Sequence, residues 1–356
     1  MSLSSNTAHP VCTFVSINNR DMRLIDFMNA FPDEASCKSK LKEYREKHGV
    51  VCPRCGCTQH YWKKDKECYE CKHCHYRQSL KANTVMHGSQ LPLRYWFIAM
   101  HLLTSTKKSF SAAELKRQLG HKNYNPIWAL LHKLRNAMGK RDSEYEICGM
   151  VELDEGFFST EVPDDEKDKP LKRGKGSQKK SKVLVMAQTE EGTPSKKSDK
   201  PTSVKYIKMF VIEDLKSETI DEKVKMYIDP DSTIKSDDSK SYTNFSTIVK
   251  EHIHQVIEPK QVGKVLPWVH IAIANAKRLL LDVYHDIRPE YLQNYLNEFC
   301  WKFNRRNFGE ALFDRLMVAA VSYKNQFRYN IEYSFISILQ CMCWFCFLLC
   351  RRCLSQ

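Results

Sequence analysis

Three short stretches hold the residues whose types and spacing could do chemistry with a divalent cation. Gly149 to Phe158 reads GMVELDEGFF, an apolar run over Met150–Leu153 that leads into carboxylates and a glycine. That pattern predicts a short buried strand with Asp154 presented at its end, facing a cleft. Thr233 to Asp238 reads TIKSDD and predicts a second short strand ending in carboxylates, among them Asp237. Aspartates at neighbouring strand tips offer hard oxygen ligands to divalent ions; the plain alternative for each is a solvated acidic turn. The third stretch, Pro267 to Leu281, is a helix on which His270 and Lys277 are two turns apart and share a face, whereas Asn275 lies roughly 140° around from His270. His270 and Lys277 can therefore address one site, although a satisfied histidine and a solvated lysine would read the same way.

A separate site is written in cysteine. Cys52-Pro-Arg-Cys55 and Cys71-Lys-His-Cys74 are two C-x2-C knuckles separated by 15 residues, the spacing of a zinc ribbon. Each knuckle turns tightly enough to offer two thiolates, and a hairpin between them brings the pairs into a tetrahedron. Cys57, Cys68, His73 and His75 are rival ligands that a closed four-thiolate site leaves aside. Six of the 15 cysteines fall between Cys52 and Cys74 and five between Cys341 and Cys353. With no basic start and apolar stretch at the beginning of the chain, this points to metal-binding thiolates in a reducing cytosol rather than a secreted disulfide scaffold.

The elements that must position these groups follow from periodicity. The 356 residues suffice for two or three domains, each with its own core. Helices are expected over Leu24–Phe31 and Glu34–Lys47, the latter stopped by Gly49. An apolar stretch at helical spacing covers Leu91–Leu103. A capped helix over Ser111–Gly120, a polar turn, and a helix opening at Asn125-Pro126 and carrying Lys133 and Arg135 give a helix-turn-helix layout. Strands are expected over Val183–Ala187 and Tyr206–Ile212, and helices over Ile220–Tyr227 and Glu290–Phe303, the last leading to Arg305 and Arg306.

A net charge of +14 calls for a polyanionic partner, nucleic acid or an anionic membrane face. The charge is spread over the ribbon, residues 107–141, 169–200 and 277–306, which suits a grip on DNA at several places. Lys63, Lys64 and Arg77 with Tyr61, Trp62 and Tyr76 make the ribbon basic and aromatic, as a DNA-contacting face is, or as a core hairpin with solvated lysines would be.

The sequence resembles the insertion-sequence transposases that carry a zinc ribbon ahead of a DDE domain of RNase-H-like fold. The carriers are FPDEASC (31–37), GVVCPRCG (49–56), ECKHC (70–74), LGHKNYNPIWALLHKLRNAM (119–138), VELDEG (151–156), SDDSKSY (236–242), VHIAIANAKRLLLDVYH (269–285), YLNEFCWKFNRR (295–306) and SYKNQFRYNI (322–331). Several motifs in order are more specific than any one. The resemblance implies an α/β fold, an RNase-H-like mixed sheet flanked by helices and preceded by the zinc ribbon and the helix-turn-helix-like segment. It places the first two acidic ligands at Asp154 and Asp237. At the third position this chain departs: matching the family's lysine to Lys277 puts His270 where many members have glutamate, and Asn275 is the nearest candidate for the asparagine of other relatives. A neutral ligand there should hold a second metal more weakly.

The implied domain plan is a disordered leader over 1–21, N-terminal helices over 22–50, the ribbon over 51–88, the helix-turn-helix-like segment over 89–142, the DDE domain over 143–331 with a charged insertion at 161–202, and an apolar, cysteine-rich tail over 332–356. The implied activity is phosphodiester cleavage at element ends and strand transfer to target DNA, with structural Zn²⁺ and two catalytic Mg²⁺ ions. DNA contacts are expected from Lys63, Lys64, Arg77, Lys133, Arg135, Arg305 and Arg306. Partners are the terminal repeats, target DNA and further copies of the chain in a dimer or larger synaptic assembly, with no small-molecule substrate and a cytoplasmic, nucleoid-associated place (nuclear in a eukaryote). Two other classes fit parts of the chain: a zinc-containing DNA-binding protein that no longer cuts, and a membrane-associated protein held by its tail.

Overall fold

A computed structural model describes residues 23–192, 202–255, 265–325 and 327. The leader and the apolar tail lie outside the described residues. No helix among the described residues is long and apolar enough to cross a membrane.

The chain opens with α1 (Leu24–Ala30) and α2 (Glu34–His48). Asp33 and Ser36 close a capping box on α2, and Gly49 at φ 82° ends it, a conformation that favours glycine. Three short strands, β1 (His60–Lys63), β2 (Cys68–Cys71) and β3 (Arg77–Ser79), form an antiparallel sheet. Then come α3 (Leu93–Ser105), α4 (Ala112–Leu119) and α5 (Tyr124–Ser143). Glu34 accepts hydrogen bonds from the first backbone N–H groups of α3, Leu93 at 2.7 Å and Arg94 at 3.0 Å, so α2 supplies the cap that α3 lacks.

The main sheet has the order β6-β5-β4-β7-β8, built from β4 (Met150–Ser159), β5 (Lys180–Glu191), β6 (Thr202–Ile212), β7 (Thr233–Asp237) and β8 (Glu251–Gln255). The first three strands are antiparallel neighbours, and β4, β7 and β8 run parallel. This is the RNase-H-like mixed sheet. The unbroken apolar run in β5 has a physical reason: Val183, Val185 and Ala187 enter the core on one face while Leu184 and Met186 enter the core on the other. The first face is covered by α7 (Pro267–Val283) and α8 (Pro289–Asn304), the second by α6 (Ser217–Tyr227).

Three differences from the sequence reading matter. β4 does not stop at Leu153: it continues to Ser159 because β5 pairs with it over its whole length, so Asp154 sits mid-strand. β8 has no counterpart in the periodicity argument. The last helix, α9 (Leu312–Ser322), within the stretch the domain plan gives to the DDE domain, buries Phe313, Leu316, Met317 and its alanines in the core of α2, α3 and α5.

Candidate functional site

The four knuckle cysteines converge. Cys52 and Cys74 place their sulfurs 3.5 Å apart, Cys55 and Cys71 3.6 Å, and all four lie within 4.8 Å of one another. A tetrahedron of Zn–S bonds of about 2.3 Å requires sulfurs about 3.8 Å apart, so the set fits zinc. The backbone N–H groups of Cys74 and His73 draw the Cys71 thiol down to about 6 against the effect of burial, favouring the thiolate that a metal binds. The rival Cys68 lies on β2 but outside this set.

In the main sheet, three neighbouring acids of β4 have three different surroundings. Glu152 is buried and accepts from Trp268 N at 2.8 Å and Val269 N at 3.0 Å, capping α7 where the helix dipole favours negative charge. Glu155 accepts a 2.5 Å hydrogen bond from the Tyr242 hydroxyl. Asp154 lies between them in sequence and meets His270, whose Nδ1 is 3.5 Å from its Oδ2. Its Oδ1 accepts from the backbone of Glu155 at 2.7 Å.

The parallel register brings the second aspartate alongside. Met150, Val151 and Glu152 pair with Thr233, Ile234 and Lys235, and two residues further along each strand stand Asp154 and Asp237. Residues level with one another on parallel strands point to the same face, and strands lie roughly 4.8 Å apart. Burial, then Glu155, and after it Asp154 and Asp237 raise the Tyr242 hydroxyl far above its ordinary value. Asp154, Asp237 and His270 do not bring their donor atoms within 4.8 Å of one another as the cysteines do.

α7 runs along β4 in step with it: Trp268 and Val269 over Glu152, His270 beside Asp154, Ile273 over Gly156, Lys277 over Phe158. Val269, Ala272, Ile273, Ala276 and Leu280 form its buried stripe, each large aliphatic side chain there contributing about 1.5–3 kcal/mol. Gly156 permits the close approach, since a Cβ there would stand 3.0 Å from the Phe158 ring and 3.4 Å from Ile273. His270 is held below its ordinary 6.5 by burial, with Asp237 opposing, and its Nε2 is buried with no hydrogen-bond partner among the described residues. Lys277 is lowered by burial and then by Lys180, while Asp154 acts in the opposite sense. Asn275 is exposed, away from this cluster.

Two expected DNA contacts are corrected by burial. Arg135 is 1% exposed; it pairs with Glu298 at 2.8 Å, donates to the Tyr284 hydroxyl at 2.5 Å and lies 4.5 Å from the Tyr295 ring centroid. Arg305 is buried and pairs with Asp142 at 2.5 Å. Both join α5 to α8 and cannot reach a phosphate. The second helix of the helix-turn-helix layout is a core element for the same reason, burying Ile127, Leu130, Leu131, Leu134, Ala137 and Met138. Arg306 spends its guanidinium on the carbonyls of Val204, Lys205 and Phe303. Lys133 is half-buried, Lys64 is exposed, and Arg77 and Lys63 are surface cations tied to Glu70 at 2.6 and 3.4 Å. Glu152, Glu155, Tyr242 and Glu298 were not singled out for these roles by sequence reasoning; VELDEG held two of them, but nothing local says which acid caps a helix.

Two family models match the chain: a transposase zinc-ribbon domain over residues 32–77, and an ISXO2-like transposase domain over residues 146–304. Over residues 146–304 the chain is similar to the ISXO2-like transposase domain, and ahead of it to the transposase zinc ribbon. A curated relative, an uncharacterized protein in transposable element ISH50 of Halobacterium salinarum, is 24% identical over 175 residues, 47% of this chain. The match covers about 58% of that protein's length. The four-thiolate set supports the structural zinc of the matched ribbon, and the second matched region is a transposase domain. Its acidic residues suit Mg²⁺ in kind: two carboxylates level on adjacent strands are hard oxygen donors, and the neighbouring imidazole nitrogen is buried without a partner among the described residues.

Proposed function

We propose that this transposase binds the terminal repeats of its element and carries out Mg²⁺-dependent phosphodiester cleavage followed by strand transfer, with Asp154 and Asp237 as the acidic pair. The observation that carries this reading is the parallel register of β4 and β7, which sets the two aspartates level on one face beside α7. Two Mg²⁺ ions, when bound, supply activation of the attacking water or 3′ hydroxyl and stabilisation of the leaving oxygen. Asp154 and Asp237 contribute the anionic oxygens. His270, kept neutral by burial, holds its Nδ1 against Asp154 and orients that carboxylate. Lys277 steers a phosphate toward the pair, and Glu152 fixes the start of α7 so that both residues stay in step with β4. Lys64, Arg77 and Lys63 on the ribbon contact the backbone of the element end, where phosphate contacts set position and base edges set specificity. Joining two ends requires more than one copy of the chain.

An imidazole in place of a third carboxylate favours a second reading, a DNA-binding protein that no longer cuts. Asp154→Asn separates the two. Under the first reading, cleavage of an element-end duplex in Mg²⁺ falls by at least about 100-fold while binding of the same duplex stays within about twofold. Cleavage unchanged by the substitution overturns the site assignment, and a wild-type chain that binds but never cuts supports the second reading.

A further inference from the structure

The cleft past the end of β4 is not used by the acidic pair. It encloses about 510 Å³ and is lined by Phe157 and Phe158 of β4, Lys180 of β5, Lys277 and Leu281 of α7, and His285. No carboxylate among the described residues lines it. Lys180 stands opposite Ser159 in the β4–β5 register and donates to the carbonyl of Gly174, which lines the cleft with it, at 3.3 Å. Lys180 and Lys277 are near enough for one to disfavour the charge of the other, and Lys277 stands two turns along α7 from His270, which meets Asp154. Two ammonium groups at one cavity repel, and an anion between them removes that cost.

The walls are suited to more than a phosphate. The Lys277 ammonium lies 5.6 Å from the Phe158 ring centroid, and Leu281 is 59% exposed beside it. Phe158 itself is buried, but half-buried Phe157 also lines the cleft. Aromatic and aliphatic surface next to paired cations is the combination that single-stranded nucleic acid uses, bases on the apolar faces and backbone on the lysines. The volume falls within the roughly 300–1,000 Å³ of small-ligand sites. It cannot take a paired duplex, whose major groove alone is about 12 Å wide.

We propose that this cleft holds one unstacked nucleotide of a DNA strand that leads to the acidic pair, its phosphate between Lys180 and Lys277 and its base against Phe157 and Leu281. The proposal rests on the transposase reading for the identity of the strand. It makes Lys180 and Leu281 substrate-contacting residues and implies that the element end is opened locally before it is cut.

The test uses the full chain, Ca²⁺ in place of Mg²⁺, and a short single-stranded oligonucleotide carrying one 2-aminopurine. Lys180→Gln should weaken binding at least about fivefold and reduce the slope of log affinity against log salt by about 0.7, the contribution of one phosphate on a single strand. Lys180→Arg should restore both. Leu281→Ala should leave the salt slope unchanged and diminish the 2-aminopurine fluorescence change. Wild-type behaviour in Lys180→Gln and Leu281→Ala overturns the proposal, as does an equal loss by Lys180→Gln on a blunt duplex, which would make Lys180 a general phosphate contact. Mg²⁺-dependent cleavage by the wild type is measured separately. If it is present while the variants bind as wild type, the cleft fails and the chemistry stands; if it is absent while the variants show the expected losses, the chemistry fails and the cleft stands.

Discussion

In the ribbon, four sulfurs gather within 4.8 Å of one another, whereas in the main sheet two carboxylates and an imidazole stand beside each other without closing to that spacing. The ribbon's ligands sit on two tight knuckles tied by a hairpin, so local geometry brings them together. The sheet's ligands come from three elements, β4, β7 and α7, separated by long stretches of chain, and are held by register and helix packing. A structural metal site is closed by its protein ligands, and a catalytic one keeps positions for water and substrate. Under the proposed function, the difference between the two regions is that difference in purpose. A third region supplies the control. Glu298, buried at 1% side-chain exposure, is closed without any metal by Arg135, Lys302 and Ser109 at 2.8–2.9 Å. Here the chain buries a carboxylate for structure and surrounds it with two cations and a hydroxyl.

The largest expected effect breaks the closed side. Cys71→Ser, or strong chelation of the full chain, should take zinc from one per chain to none and unfold the ribbon, because zinc binding in such small units is worth about 10–16 kcal/mol of folding free energy. Metal analysis and hydrogen exchange over residues 50–80 check it, and protection retained without zinc would mean that the sheet stands on its core alone. Next, Glu298→Gln should destabilise by about 3–5 kcal/mol by leaving Arg135 buried and uncompensated, read from denaturant midpoints; a change below 1 kcal/mol would show that this pair is not closed as described. Burial alone would raise the Glu298 carboxyl, but Lys302 and Arg135 hold it down to about 2. The stability it contributes is therefore full above its ordinary 4.5 and is lost as pH falls toward 2.

Acid should act sooner through His132. It is buried beside Trp128, Tyr291 and Tyr295, and burial holds it neutral to about pH 2. An unfolded histidine takes up a proton below about 6.5 and this one does not, so stability falls as pH drops below 6.5, by on the order of 1 kcal/mol per pH unit. His132→Phe should flatten that slope between pH 6.5 and 4.5 in thermal melts; an unaltered slope assigns the acid lability elsewhere. The smallest effect sharpens the open side. His270→Glu restores a carboxylate beside Asp154 and should lower the Mg²⁺ concentration for half-maximal cleavage by about tenfold, since hard cations prefer anionic oxygen. No change would mean that position 270 lies outside the metal's reach.

How much of this was legible in the sequence depended on the range of the interaction. Knuckle spacing is local, and it places all four sulfurs. The α2 cap and its glycine stop are local, and the expected bounds lie within a residue of Glu34–His48. Asp154 and Asp237 were legible as strand residues, but their level placement follows from a parallel register that no periodicity encodes. The true length of β4 depends on β5, which lies beyond a charged stretch that reads as loop. Arg135 looked like a basic residue on a helix face; its partner Glu298 is 163 residues away, and only tertiary packing shows the charge to be internal. β8, an edge strand reading EHIHQ, carries too few apolar residues to register as a strand before its neighbour is known.

The placement of α9 bears on how the molecule comes into being. Tyr44 of α2 hydrogen-bonds Asp314 across 270 residues, and Phe27 meets the Phe313 ring edge-on while Phe31 packs against it at a tilt. During vectorial synthesis the earliest helices to leave the ribosome must therefore wait for almost the latest, while the main sheet, whose strands are contiguous in the chain, can assemble in the interval. A nascent chain of this design carries an exposed greasy lobe for most of its translation, which makes it a natural client for chaperones that shield apolar surface.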